Sequence, residues 1–361
     1  MFYQWKFVEC VAIKFDRTEA HMTLTQSMLS AIETELQRQV ARLDEPRTRP
    51  FHEMITYHMG WTGEGAGPEA AGKRIRPLML LLCTAASSGA EGEVETWQFA
   101  LPAAAAVELV HNFSLVHDDI EDNSDKRRGR TTVWKKWGVP QGINAGDGLF
   151  VLSNLALTDL EAGYPAQTVV RAAKILHATC LDLTRGQFLD ISYEDRADLT
   201  VEDYWPMVSG KTAALLSACC QIGALLGGAD EARQEAYRAF GYYLGLAFQV
   251  QDDILGIWGD EALTGKSAAS DLVDGKKSLP VLFGLDKKGE FAKRWGQGPI
   301  RAEEVRELAN ILKTESAQTS AREAARQMTD LALENLSAAN PQGEAGESLK
   351  MLADKLLQRG A

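Results

Sequence analysis

Four carboxylates fall within five residues, at Asp118, Asp119, Glu121 and Asp122, and the chain then runs into Lys126, Arg127, Arg128 and Arg130. On a helix, Asp118 and Asp122 share one face about one turn apart. Carboxylates at that spacing repel unless a cation lies between them, and oxygen ligands that leave positions open for water and phosphate suit Mg²⁺. The arginines can hold phosphate oxygens in bidentate fashion, which a lysine cannot. A second pair, Asp252 and Asp253, closes another apolar, glycine-containing run, GYYLGLAFQVQDDILG. Alone, an acidic run before a basic run reads as a solvated helix end. Two acidic pairs, each costing several kcal/mol per charge to bury unpartnered, are better explained by facing each other across shared metal ions. The pattern predicts a metal–diphosphate site between two helix ends.

Those ends need long helices to carry them, and apolar residues recur at helical spacing over most of the chain. Helices are predicted over 24–43, 51–58, 78–86, 95–122, 166–193, 201–227 and 232–257, with a glycine-rich loop over 60–72 and amphipathic surface helices from 301 onward. No alternating strand pattern stands out. Residues 23–361 are therefore expected to form one all-α domain of long, mostly antiparallel helices around a central cavity. Residues 1–22 fit no element and lack the layout of a signal peptide. Both a genuine extension and a start placed too early, with Met22 or Met28 the true one, stay open.

Composition excludes some classes. The 361 residues are 45% apolar and 24% charged, with ample material for a core. A net charge of -12 argues against nucleic-acid binding. The cysteines, Cys10, Cys83, Cys180, Cys219 and Cys220, are odd in number and follow no metal spacing, which suits free buried thiols in a reducing, cytoplasmic setting. No uninterrupted apolar run reaches the roughly 18 residues of a membrane span, so no transmembrane segment is expected.

GKRIRP at 72–77, DDIED at 118–122, GKT at 210–212 and DDILG at 252–256 match, in order and separation, a known set. The chain resembles the trans-polyprenyl diphosphate synthases, the family of farnesyl and geranylgeranyl diphosphate synthases. The likeness is strong over 70–285 and weak in the flanking helices. It implies an isoprenoid-synthase fold, a homodimer, and Mg²⁺-dependent condensation of isopentenyl diphosphate with an allylic diphosphate.

The resemblance also distributes roles. Asp118 and Asp122 would hold two Mg²⁺ and Asp252 a third, with Asp119 and Asp253 in support. Arg127, Lys211 and Thr212 would meet the allylic diphosphate, and Lys266 and Lys276 would add further contacts. Lys73, Arg76, Arg128 and His111 would hold isopentenyl diphosphate, with Arg74 facing elsewhere. Phe248 and Gln249 would line the junction of tail and phosphates. Read locally, Lys211 could equally snorkel to solvent, the basic loop could be solvated, and His111 could be structural. Arg185, Gln187 and Asp190 are spaced to face the cavity, or to sit in a salt-bridged core. Trp134 and Trp137 read as packing residues.

Two further readings follow from the resemblance. Many relatives carry aspartate where this chain has Gly256, which leaves the third ion resting on Asp252. Phe113, Ser114 and Leu109 lie five, four and nine residues before Asp118, where the elongating tail would pass. One aromatic and one small residue at the first two positions resemble the geranylgeranyl synthases, so a C20 main product is expected, with C15 or longer as alternatives. A terpene cyclase and a non-catalytic regulatory subunit are the competing classes. GKRIRP and the second aspartate pair weigh against the first, and a nearly complete ligand set against the second.

Overall fold

A computed structural model describes residues 23–88, 96–259 and 270–357. Thr23 opens the first helix with a reciprocal cap: its hydroxyl accepts from the Gln26 N–H while the Gln26 side chain accepts from the Thr23 N–H. The helix that follows, α1 (Leu24–Val40), buries Met28, Ile32, Leu36 and Val40, one stripe at four-residue spacing. Next come α2 (Arg49–His58), α3 (Pro68–Ala71), α4 (Ile75–Ser87) and α5 (Leu101–Glu121). A two-strand hairpin, β1 (Lys126–Arg127) with β2 (Arg130–Thr131), leads to α6 (Val133–Trp137), α7 (Val139–Thr158) and α8 (Ala166–Tyr193). Then follow α9 (Val201–Val208), a π-helical turn at Ser209–Ala213, α10 (Ala214–Leu226) and α11 (Glu231–Trp258). The chain ends with α12 (Ser270–Val273), α13 (Leu279–Asp286), α14 (Glu290–Trp295), α15 (Val305–Thr314), α16 (Ala317–Ala339) and α17 (Gly343–Leu357).

The fold is all-α around a central cavity, as expected. In the middle, α5 packs on α7, and α10 lies against both α4 and α11, whose far side is covered by α16. Small residues make this possible. Ala103 to Ala106 on α5 are all buried, so neighbouring backbones approach closely. By length and composition alone, 96–121 and 201–226 would suffice to cross a membrane. Here they are interior helices, 72% of each apolar window being buried inside the fold. The cysteines Cys83, Cys180, Cys219 and Cys220 are buried free thiols.

Three local departures from expectation have simple causes. The β hairpin went unseen because two-residue strands are too short to show alternation. Its turn is made by Arg128 (φ 50°) and Gly129 (φ 75°), both left-handed as a tight hairpin requires. The glycine-rich loop contains one turn of helix, α3, started by Pro68. The single helix expected over 201–227 is interrupted by the π turn, which no periodicity announces.

Candidate active site

The helix ends carrying the two acidic motifs open onto one cavity of about 220 Å³. Asp118 of α5, Asp190 of α8, Lys211 of the π turn, Asp252 of α11 and Asp271 of α12 all line it. The π turn is positioned by two glycines. A Cβ on Gly186 would lie 2.2 Å from the Lys211 nitrogen, and one on Gly210 would lie 2.6 Å from the Asp182 carbonyl oxygen. Only hydrogen at both positions lets α8 touch the turn backbone to backbone. The Lys211 ammonium then donates to Asp190 Oδ2 at 2.5 Å. Burial pulls Lys211 down, but Asp190, Asp118 and Asp122 outweigh it and hold the group above its ordinary pKa. Lys211 is therefore a fixed cation on the cavity wall, and the snorkelling alternative is set aside.

The first motif is short of positive charge. Burial raises the Asp118 carboxyl against the pull of Lys211 and Arg127. Asp122, the residue closing α5, is pushed up to about 7, chiefly by burial, with Asp118 and Asp190 adding to it against Lys211. Its Oδ2 is buried without a hydrogen-bond partner. Among the described residues no three His, Cys, Asp or Glu side chains converge as a complete metal cluster. The donor set fits Mg²⁺ nonetheless: it is all carboxylate, it has an orphaned buried oxygen, and it leaves room for phosphate oxygens as the remaining ligands.

The neighbouring aspartates, Asp119 and Asp253, have partners within the protein. Asp119 turns away from the cavity and accepts from Arg127 Nε at 2.8 Å, both groups being buried. Asp253, 1% exposed, accepts four bonds: from the Tyr204 hydroxyl (2.9 Å), the Leu279 N–H (3.0 Å), Gln249 Nε2 (3.0 Å) and Lys276 Nζ (3.2 Å). Thr212 continues this network by donating to Gln249 Oε1 at 3.0 Å. Lys276 lines the cavity, and its burial is outweighed by Asp253 and Asp271, which raise it. Adjacent helical residues point about 100° apart; Asp119 thus lies off the cavity on Arg127, whereas Asp253 stays on the cavity lining beside Asp252 and is bonded to Lys276.

The basic motif near residue 74 divides likewise. Arg74, at φ 50°, turns inward and is buried between Glu108 (2.9 Å) and Glu33 (3.1 Å), away from the cavity as expected. Arg76 faces the cavity and donates to His111 Nε2 at 3.2 Å. His111 is held neutral, first by burial and then by Arg76, Arg128 and Arg127, so its ring nitrogen can accept. Lys73 is exposed on the adjoining loop. Arg128 is not on the cavity wall. Its Nη1 donates to the carbonyls of Ala70 and Ala71 (2.9 Å each), and burial lowers it to about 10. It lines a second, smaller hollow with His58, Asp119 and Arg127.

Ser114, Phe248 and Gln249 line the cavity, whereas Leu109 is fully buried in the core. The Phe113 ring faces α7, tilted on Phe150 at 5.0 Å and edge-on to His117 at 5.6 Å. Arg185 is exposed and pairs with Asp182, and Gln187 donates to Glu121, so of that trio only Asp190 meets the cavity. Lys266 lies outside the described residues. Tyr204 and Asp271 were not anticipated. Nothing in their local sequence marks them, because both acquire their place only when distant helices meet.

The polyprenyl synthetase family profile matches residues 67–312. The chain belongs to the polyprenyl synthetase family, and so is a trans-prenyltransferase. A geranylgeranyl diphosphate synthase of Mycobacterium tuberculosis is 44% identical over 253 residues, covering 70% of each chain. A (2E,6E)-farnesyl diphosphate synthase of the same organism is 40% identical over 259 residues, 71% of this chain and 68% of that one. The crystal structure of a polyprenyl synthetase from Streptomyces coelicolor superposes with a TM-score of 0.80 at 36% identity, covering 91% of this chain and 97% of that one.

Proposed function

We propose that this chain condenses isopentenyl diphosphate with an allylic diphosphate, with geranylgeranyl diphosphate (C20) as its main product. The observation that carries the reading is one cavity with carboxylates on two walls and half-buried cations, Lys211 and Arg76, at separate points of its lining. Such a cavity can hold two diphosphates with their hydrocarbon ends together. Similarity to geranylgeranyl synthases supports C20, while the near-equal similarity to a farnesyl synthase keeps C15 as the alternative.

In the reaction the allylic C–O bond breaks, pyrophosphate leaves, and the isopentenyl double bond forms the new C–C bond. A proton then passes from the adjacent carbon to pyrophosphate, so no protein base is required. Asp118, Asp122 and Asp252 would hold Mg²⁺, three ions in all, which would supply positive charge for the departing pyrophosphate. Lys211 and Arg127 hold the allylic phosphates, each fixed by its own aspartate, Asp190 or Asp119. Arg76, steadied by neutral His111, holds the isopentenyl diphosphate. Leu115, Met207, Val208 and Phe248 give the cavity an apolar wall that keeps water from the cation.

We place the enzyme in the cytoplasm as a homodimer. Val151 and Leu155 on α7 and Leu181, Phe188 and Ile191 on α8 are exposed, Phe188 by 68%, an apolar surface that a second copy would cover. Incubation with isopentenyl diphosphate, each allylic primer in turn and Mg²⁺ should give mainly C20 diphosphate. Conversion of the allylic substrate without isopentenyl diphosphate would indicate a cyclase instead. Absence of any turnover would indicate a non-catalytic subunit.

A further inference from the structure

Arg130 shares the hairpin with Arg127 and Arg128 but does not line the cavity. Each nitrogen of its guanidinium donates to a backbone carbonyl: Nη1 to Tyr57 (2.6 Å), Nη2 to Thr62 (2.6 Å) and Nε to Glu64 (3.0 Å). The same group stacks 3.9 Å above the Tyr57 ring, whose hydroxyl donates to the Thr131 carbonyl at 2.9 Å. Thr62 and Glu64 belong to the glycine-rich stretch 59–72, which turns with positive φ at Gly60, Gly63, Gly65, Gly67 and Gly72. A Cβ on Gly63 would lie 2.8 Å from the Tyr57 ring and 3.4 Å from Arg130 Nη2, so bare backbone wraps the guanidinium. Arg128 holds the far end of the stretch through the Ala70 and Ala71 carbonyls, and Lys73 and Arg76 follow directly. The hairpin is in turn fixed just past the end of α5, where the Thr132 hydroxyl and the Trp134 indole both donate to the Ser124 carbonyl (2.8 and 2.9 Å).

We propose that Arg130 is a positioning residue for the isopentenyl side of the reaction: it touches neither substrate, and by holding the Tyr57, Thr62 and Glu64 carbonyls it fixes the loop that presents Lys73 and Arg76. The inference rests on reading Arg76 as an isopentenyl diphosphate contact. A glycine-rich segment without a brace samples many backbone conformations, and ordering it only on binding would weaken affinity. Arg130 orders it beforehand. The planar fork that could have gripped phosphate is turned onto the protein instead. A lysine at 130 would present its donors from one flexible point and would hold the loop less firmly.

The test compares the full-length wild-type enzyme with Arg130→Ala, Arg130→Lys and Arg76→Ala. Steady-state kinetics in each substrate with Mg²⁺, hydrogen exchange of the amides of 59–72 and thermal unfolding are measured on all four. Arg130→Ala should raise KM for isopentenyl diphosphate about tenfold, leave kcat and the allylic KM within about twofold, and speed exchange in the loop. Arg130→Lys should fall between it and the wild type in both readouts, and it gives the same comparison if the alanine variant does not fold. Arg76→Ala should raise the same KM without changing loop exchange, as a direct contact does. A lower unfolding temperature in the Arg130 variants with both KM values unchanged would make the residue merely structural and overturn the inference. An equal rise in both KM values, or loop exchange at the wild-type rate, would overturn it too. If Arg76→Ala leaves the isopentenyl KM unchanged, the reading of the site itself fails, and this inference with it.

Discussion

The two acidic walls of the cavity look alike in sequence and differ in how they are neutralised. On α11, Asp253 is saturated by Tyr204, Gln249, Lys276 and a backbone N–H. On α5, the Asp122 carboxyl is pushed up to about 7 and keeps a buried oxygen without a partner. Asp253 is thus held by the protein itself, whereas Asp122 keeps a buried oxygen that, on the proposed reading, a bound cation would meet. An active site that must grip and release pyrophosphate benefits from this asymmetry. One wall holds its shape, and the charge of the other changes with its load.

The largest effects should come from the aspartates that face inward. Asp118→Ala and Asp252→Ala should each reduce turnover by roughly a thousandfold with an unchanged far-UV spectrum, since lost metal contacts remove several kcal/mol of charge stabilisation. Near-normal rates at saturating Mg²⁺ in either variant would refute the assignment.

Their neighbours should fail in another way. Asp253→Ala takes the shared acceptor from the buried Tyr204 hydroxyl and the buried Leu279 N–H, and stability should fall by about 1–3 kcal/mol for each donor left buried without an acceptor. Asp119→Asn should instead keep the fold and loosen Arg127, weakening allylic diphosphate more than isopentenyl diphosphate. Chemical denaturation and steady-state kinetics on the two variants distinguish these outcomes. If Asp253→Ala unfolds like the wild-type protein, its bonds are not what holds the second wall together.

This split was only half legible in the sequence. The spacing of Asp118 and Asp122 shows at once that they share a helical face, because period is a local property. That Asp119 leaves the cavity while Asp253 stays on its lining depends on what surrounds each helix, and Arg127 and Lys276 take up their places only in the folded chain. The long helices were legible for the same reason of period. The β hairpin, the π turn beneath Lys211, and the place of Asp271 on the cavity lining were not. Each depends on a tight local geometry or on distant segments meeting.

Substrate partition gives a smaller effect. Arg76→Ala should weaken isopentenyl diphosphate by one to two orders of magnitude, roughly the loss of a charge-assisted hydrogen bond, and the allylic substrate by much less. Equal weakening of both in steady-state kinetics would mean that the two diphosphates do not occupy separate patches.

The asymmetry also predicts a pH signature. The raised Asp122 contributes stability that is present below the unfolded value of about 4 and lost as pH rises through about 7. Histidines oppose it. Burial pushes His58 down to about 3, so its contribution is present above about 6.5 and lost as pH falls toward the folded value. The rise in Tm caused by Mg²⁺ separates the two, because the metal competes with protons only at the carboxylates. That rise should grow between about pH 5.5 and 7.5 and then level off. A rise of constant size across that range would remove the first wall as the cation site.

The smallest effects in rate, and the most informative about product, concern the residues just before Asp118. Ser114 lines the cavity, so Ser114→Phe puts a ring into the path of the growing tail and should shift the main product from C20 toward C15. Phe113 is turned to Phe150 and His117, so it bears on the tail only through α7. Phe113→Ala opens space behind the wall, and longer products should follow only if Phe150 moves into it. The shift should therefore be weaker than that of Ser114→Phe, and Phe113→Ala with Phe150→Ala should lengthen products more than either change alone. Chromatography of the products against C15, C20 and C25 standards ranks the variants. A Ser114→Phe enzyme with an unchanged distribution would show that the tail does not run beside α5, and the C20 assignment would then rest on similarity alone.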